Sequence, residues 1–332
     1  MQWSRRWGED GRLHYRDGHG GELPGQEPGA SGLHMKIAEL GTERRNPASQ
    51  ELDTKPALEI ARIINDEDKK VAAAVEKALP QIAMAIDAIA EALLNGGRLI
   101  YVGAGTSGRI AALDASECPP TFNTDPKIVQ YVMAGGEKAL TRATEGSEDS
   151  RAMGRKDMAK RRPGKKDVVV GVAASGRTPY TIAAVEYARK KGARTVAVTA
   201  NAASELGRTA EIEIVTEVGP EALAGSTRMK AGTAQKMVLN MLTTGAMARL
   251  GYVYGNLMVN VHTRNEKLRI RGRSIVEQAA GVAPEVSESA LKSAGGQVPV
   301  ALIMLKTGVS RRQAEERLKK AKGNIRRAMA SV

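Results

Sequence analysis

The sequence has 332 residues, of which 42% are apolar and only 3% are aromatic, so the core is expected to consist of aliphatic side chains. No stretch approaches the about 18 uninterrupted apolar residues of a membrane span, and we expect no membrane partner. The formal charge is +13, and residues 263–332 carry 15 Lys and Arg against 6 Asp and Glu. Because no aromatic platform, zinc-ligand set or RNP-like strand accompanies this charge, we interpret it as solvated helix faces that attract a small anion. A nucleic-acid partner is not expected.

The residues that could carry redox or acid–base chemistry are few. Cys118 is the single cysteine, which excludes an internal disulfide framework and predicts a cytoplasmic location. His262 is the one histidine beyond the first 34 residues. Acid–base chemistry is therefore expected to use carboxylates.

The N-terminal quarter of the chain divides into three parts. Residues 1–34 are rich in glycine and charge without an apolar period, which predicts a disordered extension with Met35 as the expected start. An extended arm follows, up to Pro56. Apolar residues then recur at spacings of three and four, which predicts one buried helical stripe that Pro80 kinks or splits. The stripe consists of Val71, Val75, Leu79, Ile82, Ile86, Ile89 and Leu93.

From residue 98 to about 218, strand and helix patterns alternate. Several strands are continuous apolar runs, as is typical of parallel strands covered on both faces. The predicted strands are Leu99–Val102, Ile128–Met133, Val168–Val172, Thr195–Thr199 and Glu211–Thr216. The predicted fold class is therefore α/β, a doubly wound parallel sheet whose ligand lies beyond the carboxyl ends of its strands.

The rest of the chain is predicted to be helical. Residues 226–251 form a long helix of small and apolar residues, and short helices follow, the last with Ser310 as its N-cap. We predict an α/β domain with N-terminal helices over residues 35–262 and a helical C-terminal module over residues 263–332.

Two predicted strands each lead through a glycine- and hydroxyl-rich loop into a helix. The first loop, residues 103–108, reads GAGTSG, and the second loop, residues 173–178, reads AASGRT. Glycine admits a ligand close to the backbone, hydroxyls and free N–H groups donate, and the helix dipole favours negative charge. Two such loops in one sheet predict a sugar-phosphate cradle. The candidate ligands are Thr106, Ser107, Ser175, Gly176 and Thr178. The alternative is that these hydroxyls only cap helices.

Gly103, Gly105 and Gly108 also match the G-x-G-x-x-G pattern of dinucleotide-binding folds. That interpretation needs an acidic residue at the end of the next strand to hold a ribose, and here the strand ends in YVMAGG. The sugar-phosphate interpretation is therefore favoured.

Candidate carboxylates lie in the segment between the two loops, one of them at the predicted end of the first helix and the others in a cluster before the second loop. Glu117 lies at the predicted end of the first helix, before two prolines. Apolar surroundings that exclude water there would raise its pKa and let it hold a proton. The alternative is a surface glutamate. EGSED (145–149) offers Glu145, Glu148 and Asp149 near another helix boundary. Cys118 is interpreted as a small buried residue, since no histidine lies near it.

Long motifs in this chain closely resemble those of the N-acetylmuramic acid 6-phosphate etherase family. They are GAGTSGR, LDASECPPTF, AGGEKALTRATEGSEDS, GVAASGRTPY and AGSTRMKAGTAQK. The resemblance runs from about Met35 to the end. It implies a flavodoxin-like sugar isomerase (SIS) domain, a homodimer, a C-terminal module similar to ubiquitin-associated domains, and no metal or organic cofactor.

The resemblance also implies an activity: cleavage of the lactyl ether of N-acetylmuramic acid 6-phosphate into N-acetylglucosamine 6-phosphate and D-lactate. By motif, Glu117 matches the family's proton donor and Glu148 its second active-site residue. Ser226 and Lys230, in AGSTRMKAGTAQK, complete the candidate substrate ligands. The assignment of Glu148 as the C2 base or water activator leaves Glu145 and Asp149 as alternatives. A non-catalytic sugar-phosphate sensor and an aldose–ketose isomerase remain the rival functions.

Overall fold

A computed structural model describes residues 4–7, 13–16, 41–142, 146–261 and 266–330. Its centre is a five-stranded parallel sheet, which confirms the predicted fold class. The strands are β3 (Leu99–Gly103), β4 (Val129–Met133), β5 (Val168–Val172), β6 (Arg194–Thr199) and β7 (Ile212–Val215). Their order across the sheet is β4-β3-β5-β6-β7, the flavodoxin-like order in which the second strand lies outside the first.

Helices cover both faces of this sheet, as the continuous apolar strands require. Before the sheet lie α1 (Ala57–Asp68), α2 (Lys70–Glu76) and α3 (Leu79–Leu94); within it lie α4 (Gly105–Phe122), α5 (Arg151–Arg161), α6 (Pro179–Lys190) and α7 (Glu205–Thr209). A long helix, α8 (Lys230–Leu250), follows the last strand. One core layer contains α3, α4 and α8, and the other contains α5, α6 and α7. Every residue of β3 and β5 is buried between the two layers.

The predicted apolar stripe spans α2 and α3, which break at residues 77–78 just before Pro80, as expected. The helix after β3 extends past its predicted end at Glu117. It continues through Pro119 and Pro120 to Phe122, and Asn123 ends it at φ +54° with its N–H on the Pro119 carbonyl.

Two short strands lie in the segment that was predicted to be disordered. β1 (Ser4–Trp7) pairs antiparallel with β2 (Leu13–Arg16), and the disorder of the extension as a whole stays a prediction. The other residues up to 40 lie outside the described part of the chain. The arm between residues 41 and 55 contains three short 3-10 turns, Gly41–Glu43, Pro47–Ser49 and Leu52–Thr54.

The C-terminal residues build a separate helical core. Its helices are α9 (Glu266–Ala280), α10 (Pro284–Ser293), α11 (Val298–Thr307), α12 (Arg311–Lys320) and α13 (Ile325–Ala330). Ser310 caps α12 as predicted, in a capping box with Gln313. The core of this module also takes in Val259 and Val261, so its packing begins before the predicted boundary at residue 263.

The close packing of α5 on α6 gives the first test. A Cβ on Gly154 of α5 would lie 2.1 Å from the backbone oxygen of Tyr180, whereas a Cβ on Gly164 would meet nothing within 4 Å. We expect Gly154→Ala to lower the free energy of unfolding by about 1–3 kcal/mol, because the helices must move apart. Gly164→Ala is the matched control and should leave it unchanged. Denaturant titration of both variants measures the difference, and equal stabilities would contradict this packing.

Candidate active site

The two hydroxyl-rich loops leave neighbouring strands at the same edge of the sheet. β3 pairs with β5 in parallel register, with Gly103 opposite Val172. β4 lies on the other side of β3, so the chain winds in opposite directions from this pair. Ligands of open α/β sheets bind in the crevice at such a reversal. Both loops therefore border one crevice.

The first loop is short because α4 begins directly after β3. Ala104 occupies the N-cap position, and Gly105, at φ +52°, already belongs to the helix. A Cβ on Gly103 would lie 2.9 Å from the Gly108 nitrogen, so these glycines let strand and helix touch. Thr106 is half-buried and Ser107 is buried in the first turn of α4.

The second loop takes its shape from Gly176. This residue has φ +66°, and a Cβ there would lie 2.3 Å from the Ser204 Cβ, so only glycine fits. The Ser175 hydroxyl accepts the N–H of Arg177 at 3.2 Å. Thr178 precedes Pro179 at the start of α6, and both Ser175 and Thr178 are half-buried.

Helix capping does not account for these hydroxyls. Ala104 has no capping side chain, and Thr178 makes no side-chain cap bond to α6. The Ser107 hydroxyl instead donates to the Gln235 Oε1 at 3.0 Å. The described geometry leaves the capping alternative without a hydrogen bond to support it.

Glu148 lies beside the second loop. Its backbone oxygen accepts the N–H of Tyr180 in the first turn of α6 at 2.9 Å, two residues after Thr178. The Glu148 side chain is exposed, as is that of Asp149. Glu145, the other alternative in EGSED, lies outside the described residues.

Glu117 lies far along α4 from the first loop of its own chain. Ten residues separate it from Ser107, which at the rise of an α-helix is about 15 Å along the axis. Its side chain is exposed, and so is that of Leu113 one turn earlier, with 49% of its surface accessible. The water-excluding surface expected around Glu117 is therefore not present in the single chain. The fold of one chain brings Glu148 close to the second loop, but it does not bring Glu117 close to either loop.

The buried carboxylate of α4 is instead Asp114, one turn before Glu117 and 7% exposed. Its oxygens accept the Tyr101 hydroxyl at 2.9 Å and the Thr243 hydroxyl at 3.2 Å. Burial raises the pKa of Asp114 to about 6, although both hydrogen bonds and Lys236 oppose the shift. Asp114 thus fastens α4 to β3 and α8. Sequence reasoning missed this residue, which lies about 60° around the helix from Glu117, on the side that packs against β3 and α8.

Cys118 is buried, as predicted, and its Sγ lies 3.3 Å from the Asp114 carbonyl oxygen. Burial, reinforced by the negative charge of Asp114, raises the pKa of the Cys118 thiol to about 12. A thiol held in this way is a poor nucleophile near neutral pH.

Lys230, a predicted substrate ligand, is 1% exposed, and its Nζ lies 2.5 Å from the Glu67 Oε2. Burial opposes ionisation of Glu67, but hydrogen bonds from Lys230, Lys70 and Asn46 outweigh it and lower its pKa to about 2. The structure thus places the Lys230 charge in a buried ion pair between α1 and α8. Its role as a substrate ligand stays a prediction.

The segment before α8 is held by a second carboxylate that sequence reasoning missed. Glu221 is fully buried and accepts the backbone N–H groups of Lys230 and Ala231, both at 2.9 Å. Burial raises the pKa of Glu221, opposed by these two backbone hydrogen bonds. Ser226, another predicted ligand, is half-buried between Glu221 and the helix.

The arm lies across the same edge of the sheet. The Asn46 amide donates to the Pro220 oxygen at 3.0 Å. Asn201, which follows β6, donates to the oxygen of Ala174 in the second loop at 3.0 Å and approaches the Thr42 hydroxyl at 3.5 Å. The arm therefore borders the crevice on the side of β5 and β6.

Neither a membrane-spanning helix nor a metal site is found among the residues that the structure describes. Within them, no helix is long and apolar enough to cross a membrane. Over the same ranges, no three His, Cys, Asp or Glu residues are grouped to hold a metal ion.

The crevice, its paired loops and the strand order fit a SIS-domain protein. Residues 143–245 match the SIS domain model, and residues 81–189 match that of the glucokinase regulatory protein N-terminal SIS domain.

Much closer relatives match nearly the whole chain. An N-acetylmuramic acid 6-phosphate etherase of Clostridium botulinum (strain Langeland) is 52% identical over 90% of this chain and 99% of its own. One from Symbiobacterium thermophilum is 58% identical over 83% and 91%, and one from Photorhabdus laumondii is 49% identical over 90% and 100%. The chain belongs to the N-acetylmuramic acid 6-phosphate etherase family.

Asp114 gives a test in which pH is varied. Because its folded pKa of about 6 lies above the ordinary 3.8, the stability that it contributes is complete below pH 3.8 and is lost as the pH rises through 6. Two pKa units correspond to about 3 kcal/mol, so between pH 4 and 7 the unfolding free energy of the wild type should fall by up to that amount relative to Asp114→Asn. Denaturant titrations at each pH measure this. Asp87→Asn, at an exposed position on α3, is the control; a parallel pH dependence of wild type and Asp114→Asn would contradict it.

Proposed function

We propose that this chain cleaves the D-lactyl ether of N-acetylmuramic acid 6-phosphate with water, giving N-acetylglucosamine 6-phosphate and D-lactate in cell-wall amino sugar recycling. The observation that carries the proposal is the pairing of β3 with β5, which sets the two loops beside each other, in a chain about half identical to named etherases. Thr106, Ser107, Ser175, Gly176 and Thr178 would bind the phosphoryl group. A cytoplasmic location fits the single cysteine.

The chemistry needs one proton acceptor and one proton donor. Opening of the sugar ring exposes an aldehyde at C1, which makes the hydrogen on C2 acidic. A base takes that proton, the C2–C3 double bond forms, and the C3–oxygen bond breaks as an acid protonates the departing lactate oxygen. Water then adds to C3 and a proton returns to C2, so the net change is hydrolysis of the ether.

The two glutamates would divide these roles. Glu148, beside the second loop, would move the C2 proton or activate the water, and Glu117 would protonate the leaving lactate. Both carboxyl groups are exposed in the single chain, so a substrate can reach them. The tethered phosphoryl group would hold C2 and C3 in place while the protons move.

The separation along α4 favours a homodimer whose sites are shared. Glu117 lies about 15 Å along the helix from Ser107, farther than a hexose 6-phosphate extends from its phosphoryl group to C3. An apolar groove of 670 Å³ runs between α3 and α8, lined by residues such as Ile82, Ile86 and Met241. Leu113 adds exposed apolar surface on the α4 face that carries Glu117. A second copy that covers this surface would supply its Glu117 to the first copy's loops.

A non-catalytic sugar-phosphate sensor is the second candidate, because residues 81–189 match the glucokinase regulatory protein model. A sensor needs the loops but not the two carboxylates. The presence of both Glu117 and Glu148 favours the enzyme. Lactate release by the purified protein separates these functions from each other, and an isomerase would convert sugar phosphates without releasing lactate.

Substitution of Glu117 tests the proposed acid. We expect Glu117→Gln to lower kcat for lactate release by about 10²–10⁴-fold, because general acid catalysis contributes that much. Substrate binding should persist, since the loops are intact. The control is Glu91→Gln, at an exposed position on α3. A wild-type rate for Glu117→Gln would remove this residue from the mechanism.

Mixing two inactive variants tests the shared site. If each site takes Glu148 from one copy and Glu117 from the other, a heterodimer of Glu117→Gln with Glu148→Gln has one complete site. Random reassociation should then restore about a quarter of wild-type activity, since half of the dimers are mixed. No recovery, with mixed dimers demonstrated, would place both glutamates in one chain's site.

A further inference from the structure

Gln235 of α8 contacts the first loop from beneath. Its Oε1 accepts the Ser107 hydroxyl at 3.0 Å, and the two side chains are 2% and 8% exposed. Gly232, one turn earlier on α8, faces Thr106, and a Cβ there would make an ordinary van der Waals contact, 3.5 Å from the Thr106 Cγ2.

The other end of this amide has no partner among the described residues. Within that part of the chain, Gln235 Nε2 is a buried donor without a hydrogen bond. An unpaired buried donor destabilises the folded protein, and such groups in native proteins call for an explanation. The atom is too enclosed to touch a ligand in the crevice directly, so its effect must pass through Ser107.

The direction of the Ser107 hydroxyl determines whether it can donate to a phosphoryl oxygen. A hydroxyl has one proton, and while that proton is donated to Gln235 Oε1 it cannot be donated to a phosphoryl oxygen. Phosphoryl oxygens at neutral pH only accept. If the amide turns over, Nε2 donates to the Ser107 oxygen and the hydroxyl proton is released toward the crevice. The number of unpaired amide atoms stays the same, and the hydroxyl–phosphoryl hydrogen bond is gained.

We propose that Gln235 is a positioning residue that sets the direction of the Ser107 hydroxyl. Without ligand it accepts the hydroxyl proton; with a phosphorylated ligand its amide reverses and donates, so that Ser107 donates to the phosphoryl group. This inference rests on the proposed function only in taking the first loop as a phosphate-binding loop. It concerns substrate affinity and not the proton transfers.

The test is a double-mutant cycle on the KM of lactate release, with the full-length protein. Gln235→Met keeps the length of the side chain and removes both polar atoms. We expect it to raise KM about three- to tenfold and to leave kcat unchanged, because the Ser107 hydroxyl is then undirected in the free protein and must be ordered when the ligand binds. Ser107→Ala should raise KM similarly, and the double variant should have the KM of Ser107→Ala alone. Additive effects, or an unchanged KM for Gln235→Met, would overturn the inference.

A second variant and a control complete the experiment. Gln235→Glu is isosteric but can only accept, so it keeps the hydroxyl proton and should raise KM at least about tenfold. This variant decides the question if Gln235→Met does not fold, and a wild-type KM would again overturn the inference. Gln278→Met, exposed on α9, is the matched control.

Failure of the proposed function would be visible separately. If the wild type releases no lactate, the same cycle is measured as the Kd of inorganic phosphate by calorimetry. Coupled effects on that Kd support the role of Gln235 whatever the reaction is. Phosphate binding that is unaffected by Gln235→Met, or absent from the wild type, overturns it.

Discussion

The in-register pairing of β3 with β5 is the constraint on which the rest of the site depends. Because Gly103 lies opposite Val172, the chain leaves both strands at the same height and enters α4 on one face and α6 on the other. A slip of register would shift one loop along the sheet relative to the other. The buried valines of β5 prevent it, since they fill the space between two helical layers.

Buried charges hold the helices that surround this pairing. Glu67 joins α1 to Lys230 at the start of α8, Glu221 binds the first two N–H groups of that helix, and Asp114 binds α4 to β3 and α8. Each charge or polar oxygen out of water needs a partner, so each specifies one arrangement of helices. The position of α8 is thereby fixed to within hydrogen-bond distances, which a purely apolar core of alanines and leucines would not do. The contact of Gln235 with Ser107 depends on that precision.

Features that depend on a few neighbouring residues, such as strands and loops, could be predicted from the sequence. Strands β3 to β7 lie within one or two residues of their expected ends, and both loops follow the strands that were assigned to them. These features could be predicted because the two continuous apolar runs that form β3 and β5 are each followed, within a few residues, by a glycine- and hydroxyl-rich loop. The end of α4 was placed too early, because two prolines usually terminate a helix, whereas here they fall in its last turn.

Contacts between distant parts of the chain were beyond sequence reasoning. Ser107 and Gln235 are 128 residues apart, and Lys230 and Glu67 are 163 apart. Lys230, in AGSTRMKAGTAQK, was predicted to bind the substrate. Its ion-pair partner Glu67 lies on α1, before the sheet, and the motif gives no sign of it. Likewise, Asp114 and Glu117 lie only about 60° apart around α4, so which of the two is buried depends on the packing of α8.

The length of α4 links the fold to the chemistry that we propose. This helix carries the proposed phosphate-binding loop at its start and the proposed acid near its end, on the exposed side that Leu113 makes apolar. A rigid helix cannot bring its two ends to one sugar. In the proposed dimer, each chain therefore binds the phosphoryl group of one substrate molecule and protonates the leaving group of the other. In the proposed dimer, dissociation would then abolish turnover without removing the phosphate-binding loops, because those loops depend only on the β3–β5 pairing and on the buried charges beneath them. Assembly would control catalysis while the fold of each copy controls affinity.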